Sequence, residues 1–596
     1  MFVRWIALAA VVALAACAAP QQSDTAANAD VATAADDGQP IADTANNSAP
    51  DADLDLWTDG GAQADSGAAV DGVTATDVLQ VGDATTEPAP ALAPCRGELS
   101  AANGWTGQVG YEIFVRSFAD STGDGIGDIK GIISKFDYLN DGKPGGDDLS
   151  VTVLWLMPIY PSPSYHGYDV TNYQDVKGEY GNLADLKALV ALAHSRGVKV
   201  VLDFVGNHTS VQHPWFVDSA AATGHNSWYV WRDTAPEATW KQPWSGTGKV
   251  WFQKGKRWYY GVFSPNMPDL NVQDPAVTTE LQQAAKFWLS QGIDGFRLDA
   301  VRYLVETGPG KGQQDTQATL DWWKSFADFV HSTQAGSLLV GEAWASGTIA
   351  TKYQAAGLDL TFDFDLQTSL LSAVQGGLGD GVSTVLCQAD SSAAPGQPRG
   401  TFLSNHDQER WASTLTALDE QKLAESLLFF VSGTPFLYYG EEIGAANGPV
   451  GDDKQKRLPM RWDASQNGGF TAGTPWMPLQ PGPDVASSLQ DPASLLRHVQ
   501  KLISVWRATP VLQRGSLAVL DAPDGWLLVV RTLGKQRILG VFQLDAEVPP
   551  TVPPLAGLGP ASTAADLLTY QQVTVKDGRL QLGDLSGTRA RWIIVN

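Results

Sequence analysis

From Trp105 onward the chain alternates between short apolar runs and longer segments whose apolar residues recur every three to four positions. The short runs are Tyr111–Phe114, Val153–Leu156, Val198–Phe204, Gly295–Leu298, Leu338–Val340, Leu358–Phe362, Thr401–Leu403 and Pro435–Tyr438. Continuous apolar runs of this length read as strands buried on both faces. Helical patterns lie between most of them. In Leu183–Arg196, residues Leu183, Leu186, Val190 and Ala193 share one face and Gly197 is placed as a stop. Val277–Leu289, Leu320–Val330 and Leu418–Phe430 show the same period. Eight strands alternating with helices over roughly 400 residues predict an α/β fold, a parallel (β/α)8 or TIM barrel. The longest insertion, residues 209–271, comes after the third strand and holds Trp215, Trp228, Trp231, Trp244, Trp251 and Trp258. It reads as an excursion domain over the barrel mouth, most of these tryptophans being packing. After Gln513 the helical period stops, and Trp526–Arg531, Ile538–Gln543, Val573–Val575 and Arg591–Val595 alternate instead. Pro549, Pro550, Pro553 and Pro554 punctuate them, which predicts a small antiparallel β-sandwich.

The N-terminal region has neither period. Met1–Ala16 carries one charge, Arg4, ahead of an apolar run too short to span a bilayer, as in a secretory signal. It ends Leu14-Ala15-Ala16-Cys17, which resembles the lipobox of bacterial lipoproteins. That resemblance implies export and acylation of Cys17, with Ala18 favouring the outer membrane or cell surface; the alternative is plain secretion. Between Ala18 and Pro94 the chain is mostly Ala, Asp, Thr, Gly and Pro, a composition that cannot offset its own ordering entropy and is expected to be a disordered tether. The expected division is therefore 1–17 signal, 18–100 tether, 101–208 with 272–513 barrel, 209–271 excursion domain and 514–596 sandwich.

Charge alters this picture little. The formal net charge is −25 over 596 residues, but 14 acidic residues and no Lys or Arg lie between Ala18 and Pro94. Removing that −14 and the +1 of Arg4 leaves −12 for the rest. Nucleic acid is excluded as a partner, since phosphate binding needs a basic face. Cys95 and Cys387 are the only cysteines besides Cys17. In an exported protein they pair, or they remain two thiols.

Candidate chemistry gathers at the C-terminal ends of the strands, where barrel enzymes keep it. Gly295-Phe296-Arg297-Leu298-Asp299 carries Arg297 and Asp299 two apart, hence on the same side of an extended chain. A cation beside a carboxylate favours its charged form, as a nucleophile requires. Leu338–Val340 runs into Glu342, with Trp344 close by; an apolar, aromatic setting raises a carboxyl's pKa, which suits a general acid. Ser404-Asn405-His406-Asp407 ends the seventh strand, Asp203 and His208 end the third, and His166-Gly167-Tyr168 comes after the second.

Taken together, residues 105–510 resemble the α-amylase superfamily, glycoside hydrolase family thirteen. The resemblance rests on Asp203–His208, Met267–Asn271, Gly295–Arg302, Gly341–Trp344, Phe402–Asp407, Gly440–Gly444 and Pro459–Asp463. It implies Asp299 as nucleophile, Glu342 as acid/base and Asp407 as the carboxylate stabilising an oxocarbenium-like transition state. It implies that His208, Arg297 and His406 bind the sugar at the cleaved bond, with Tyr168 stacking beneath it and His166 and Asp203 bordering the subsite. Asp120, Thr122, Asp124, Ile126 (through its carbonyl) and Asp128 place oxygens at alternate positions around a glycine turn, as a hard cation prefers. They resemble the family's first-loop Ca²⁺ site, with Thr122 in place of the usual Asn.

Two substrate readings stay open. Tyr165, three before Tyr168, stands where related exo-acting α-glucosidases carry a carboxylate that caps the sugar's non-reducing end. This favours endo cleavage of α-1,4-glucans. Arg302-Tyr303 replaces the Lys-His of many α-amylases, and Arg410 matches an arginine used near that end by α-glucosidases; both lean toward maltose-sized substrates or transglycosylation, trehalose synthesis included. A monomer is expected.

Overall fold

The computed structural model describes residues 93–143, 145–388, 396–449 and 451–548, and from 564 to 595 all but 577, 578, 584 and 586. The expected signal, Cys17 and nearly all of the tether lie outside these residues. Eight parallel strands form the barrel: β1 (Gly110–Ile113), β2 (Val153–Leu156), β3 (Lys199–Phe204) and, after three short strands β4 (Trp231–Arg232), β5 (Trp251–Lys254) and β6 (Arg257–Tyr260), β7 (Gly295–Leu298), β8 (Leu338–Gly341), β9 (Leu360–Thr361), β10 (Gly400–Thr401) and β11 (Thr434–Tyr438). Hydrogen bonding runs β10-β11-β1-β2-β3-β7-β8-β9, and a parallel bridge between Phe362 and Gly400 joins the two ends.

Period-two alternation sorts the barrel interior into layers. The lower layer is apolar: Val153, Val201, Leu338, Leu360 and Phe436 pack with Trp105. Gly110 has no alternative there, because a Cβ would come within 2.3 Å of the Phe436 ring. One step higher along the same strands stand Glu112, Trp155, Asp203 and Arg297, in register as Glu112↔Trp155 and Asp203↔Arg297. The polar floor of the mouth is thus the next layer of the alternation that fills the core.

The connecting helices are set by their ends. Asn182 and Asp185 form a reciprocal capping box on helix Leu183–Ser195. Asp274 caps helix Pro275–Ser290, which has proline at its start. Helix Leu418–Phe430 falls where its sequence period puts it.

The excursion holds the antiparallel sheet β4-β6-β5. Its last segment returns to the barrel through bridge His208↔Asp269 and is tied within the excursion by Tyr229↔Leu270. Trp251 is buried, and Trp244 and Trp258 pack on the cluster that includes Val250, Tyr260, Ala300 and Tyr303, while Trp215, Trp228 and Trp231 pack on the main core. These six are half-buried or buried packing residues, as anticipated.

Seven antiparallel strands make the C-terminal sheet: β12 (Ser516–Leu520), β13 (Trp526–Leu533), β14 (Gln536–Gln543), β15 (Ala564–Asp566), β16 (Gln572–Lys576), β17 (Arg579–Gln581) and β18 (Ala590–Val595). Leu527, Val529, Ile538 and Phe542 face the main core, while Leu528, Val530, Leu539 and Val541 pack with Val573 and Leu580 of the β15–β17 limb. Arg531, fully buried, donates to the carbonyls of Phe430 and Val431 at 2.7 and 3.1 Å. These are carbonyls a helix C-terminus leaves open, and a cation is favoured there.

One boundary moves. The folded body begins before residue 101, since Arg96 bridges to Leu517 and pairs with buried Asp363, and Leu99 is buried. Cys95 is joined to Cys387, with Cα atoms 4.8 Å apart across 292 residues. The low-complexity stretch before it hides these three anchoring residues from a composition-based boundary.

Candidate active site

Arg297 organises the site. It rises from β7 with its side chain 1% exposed, and its Nη1 donates to Asp203 Oδ1 at 2.9 Å and to Asp299 Oδ1 at 2.8 Å. Its Nη2 reaches Glu342 Oε2 at 3.0 Å. Three carboxylates from three adjacent strands therefore share one planar cation, whose fixed fork suits this task better than a lysine would. Asp299 and Glu342, on neighbouring nitrogens of a single guanidinium, face the same gap.

Strand β7 ends in a turn that serves this arrangement. Ala300 sits at φ +51°, a left-handed conformation that non-glycine residues avoid at a cost of about 1–3 kcal/mol. There its N–H donates to Glu342 Oε2 at 3.1 Å. Burial pushes Glu342 up to about 7; Arg297 opposes this, while Asp299 and Asp407 add to it. Near neutral pH this carboxyl can hold a proton.

Asp407 behaves in the opposite way. Burial works to raise its pKa, but His406, then Arg457 and Arg297, more than offset it and hold it well below the usual carboxylate range. Arg457 Nη2 pairs with its Oδ1 at 2.7 Å, and His406 Nε2 lies 3.3 Å from its Oδ2. Its side chain stays 32% exposed, facing the mouth.

The other expected residues divide into two groups. Tyr165, His166 and Tyr168 are half-buried at the mouth. Tyr168 is stacked on His406, ring centroids 5.5 Å apart and planes at 16°, with its hydroxyl 2.9 Å from Asp203 Oδ2. Beneath lie Asp203, His208, Arg297 and His406, all buried. Asp203 accepts from Arg297, Tyr168 and Trp155 Nε1, and burial pushes it up to about 6. His208 is held below its ordinary value by burial, against the pull of nearby Asp299.

Two expected substrate contacts, Arg410 and Arg302, are held by protein partners. Arg410 is fully buried. It donates to the carbonyls of Tyr439 and Lys456, with its guanidinium against the rings of Tyr438 and Tyr439. Arg302 is buried in an ion pair with Asp315 at 2.5 Å and donates to the Trp344 carbonyl. Burying either cation requires partners that hold it in place, and these partners tie Arg302 and most of Arg410 to the protein itself.

Two residues not read from the sequence join the network around Asp407 and His406. Arg457 links Asp407, the Tyr165 hydroxyl at 3.2 Å and the His406 carbonyl at 2.9 Å. Glu112 meets His406 Nδ1 at 2.5 Å. Glu112 had one sequence signal, a carboxylate inside the buried strand Gly110–Ile113; Arg457 had none beyond its closeness to Pro459–Asp463.

The loop after β1 is closed by its own hydrogen bonds. Asp120 accepts from the N–H groups of Thr122, Gly123 and Gly125 and from the Thr471 hydroxyl. Asp124 accepts from Ile126 N–H, and Asp128 accepts from Ser121 and caps helix Ile129–Ser134 through Gly131 N–H. Among the described residues no three His, Cys, Asp or Glu side chains stand close enough to hold a metal ion between them. The oxygen donors suit a hard cation in kind, but such a set would need the Thr122 hydroxyl and the Ile126 carbonyl to complete it.

Comparison with known proteins agrees with this geometry. Residues 112–515 match the family described as Alpha amylase, catalytic domain. Alpha-amylase 3 of Dictyoglomus thermophilum is 34% identical over 447 residues, covering 73% of this chain and 84% of that protein. The oligo-1,6-glucosidase of Parageobacillus thermoglucosidasius is 30% identical over 521 residues, covering 75% and 91%. The crystal structure of the α-amylase from H. orenii superposes with a TM-score of 0.72 at 32% identity, covering 82% of this chain and 99% of that one. With its barrel, its three mouth carboxylates and this match, the chain belongs to the α-amylase family of glycoside hydrolases, which act on O-glycosyl bonds.

Proposed function

We propose that the protein is a retaining hydrolase of α-1,4-glucans and maltooligosaccharides, with endo action. The observation that carries this is the pair Asp299 and Glu342 held on one guanidinium, close together as a double-displacement mechanism requires. Glu342, protonated near neutral pH, gives its proton to the leaving glycosidic oxygen while Asp299 attacks the anomeric carbon. The carboxylate of Glu342 then takes a proton from water, which displaces Asp299. Asp407, kept ionised by His406 and Arg457, stabilises positive charge on the sugar in both steps.

Endo action is supported by Tyr165, which offers a phenol where exo-acting relatives carry a carboxylate. The competing reading, an exo-acting α-glucosidase or transglycosylase, is favoured by the match to an oligo-1,6-glucosidase over 91% of that protein's length. Product profiles from soluble starch and from maltose separate them. A ladder of maltooligosaccharides from starch supports endo hydrolysis; glucose alone, or trehalose from maltose, overturns it.

We also propose that the Asp120–Asp128 loop takes Ca²⁺, checked by a lower melting temperature after chelation. Export and anchoring through Cys17 are likewise proposed, and Cys17→Ser is expected to release the protein from the membrane fraction.

A further inference from the structure

His406 is fully buried, yet each of its ring nitrogens has a polar partner. Nδ1 meets Glu112 Oε1 at 2.5 Å, across 294 residues of sequence. Nε2 lies 2.7 Å from the Tyr168 hydroxyl and 3.3 Å from Asp407 Oδ2. The Tyr168 hydroxyl in turn donates to Asp203, which holds Arg297. Hydrogen bonds thus connect Glu112 without a break to the guanidinium shared by Asp299 and Glu342. Trp155 packs edge-on against the ring, centroids 5.7 Å apart.

We propose that Glu112 is a positioning residue for the reaction: its carboxylate accepts the Nδ1–H of His406, fixes the ring's orientation and directs Nε2–H to Tyr168 and Asp407. A buried imidazole without an anion on Nδ1 loses one of the two carboxylates that favour its doubly protonated form, and burial then favours the neutral ring. That would remove one of the cations which keep Asp407 ionised and leave the orientation of the ring facing Tyr168 unfixed. The groups facing His406 are two carboxylates, Glu112 from β1 and Asp407 from its own loop, the Tyr168 phenol, and Asp203 across it from β3. Arg457 donates to the backbone carbonyl of His406. Burial disfavours the imidazolium, but Asp407 and then Glu112 outweigh it, and the ring is pushed up to about 10.

The role of Asp407 belongs to the reading under Proposed function, so the test keeps the two apart. Glu112→Gln preserves shape and acceptor but removes the charge. Ring ¹⁵N signals of histidine-labelled full-length protein, with His406 assigned through His406→Gln, report protonation without turnover. The expected result is a His406 midpoint at least one pH unit lower in Glu112→Gln than in wild type. A fall in kcat of tenfold or more on maltooligosaccharides is expected beside it, with KM within about threefold and Tm within a few degrees. An unchanged His406 midpoint, or an unchanged kcat, overturns the proposal. Should Glu112→Gln fail to fold, the wild type decides: a doubly protonated ring at pH 8 supports it and a neutral ring overturns it. A wild type that shows the protonated ring but hydrolyses no glucan would refute the enzymatic reading while leaving the Glu112–His406 pair standing.

Discussion

Replacing Glu342 with Gln removes its proton transfers, as acid and then as base, while keeping its shape and contacts. A carboxyl at its usual value of 4.5 would be about 0.3% protonated at pH 7. Raised to about 7, it is about half protonated, a gain of about 150-fold in the fraction able to act as an acid. The amide keeps the size, the contact with Ala300 N–H and a polar group for Arg297, but it has no proton to give. General acid catalysis is worth about 10²–10⁴-fold, so kcat on maltooligosaccharides, whose leaving oxygen needs that proton, should fall by this amount. Maltosyl fluoride, whose leaving group departs without a proton, should lose far less in the step that forms the glycosyl-enzyme, read from the pre-steady-state burst. The sign of the pH effect comes from the same group. Activity needs the protonated form, so kcat/KM of the wild type falls as pH rises through about 7, and this limb vanishes in Glu342→Gln. Equal losses on both substrates, or an alkaline limb that survives in the variant, would refute the assignment.

Asp407→Asn leaves His406 and Arg457 facing a neutral group, and kcat should drop about 10²–10³-fold with the fold intact by circular dichroism; near wild-type turnover would remove Asp407 from the mechanism. The Cys95–Cys387 link closes a loop of 292 residues, for which chain entropy gives a ceiling of about 5–6 kcal/mol, so Cys387→Ser should lower the melting temperature, and an unchanged value would count against the link. Phe430 lies 5.4 Å from Phe542 and 5.6 Å from Trp592, where a barrel helix meets the C-terminal sheet. Truncating it to Ala should cost about 3–5 kcal/mol and shift the urea midpoint down while leaving KM unchanged.

Local pattern was enough for much of this protein. The eight strands, the position of the excursion and the shift to alternation after Gln513 are all written as periodicity, because a buried strand and an amphipathic helix impose their repeats on neighbouring residues. Asp299 and Glu342 were legible for a related reason: each ends its own apolar strand, and strand ends are where a barrel exposes side chains. The deciding contacts were not legible, because barrel closure makes them between distant segments. Glu112 meets His406 only once β11 carries the chain back beside β1; Tyr165 meets Arg457 across 292 residues. The same closure gave several arginines different partners. In sequence Arg302, Arg410 and Arg457 are equivalent cations, but in the fold Asp315 pairs with the first, backbone carbonyls accept from the second, and Asp407 claims the third. A sequence records which residues are able to ionise; burial and the partners that folding brings close decide which of those charges the reaction meets.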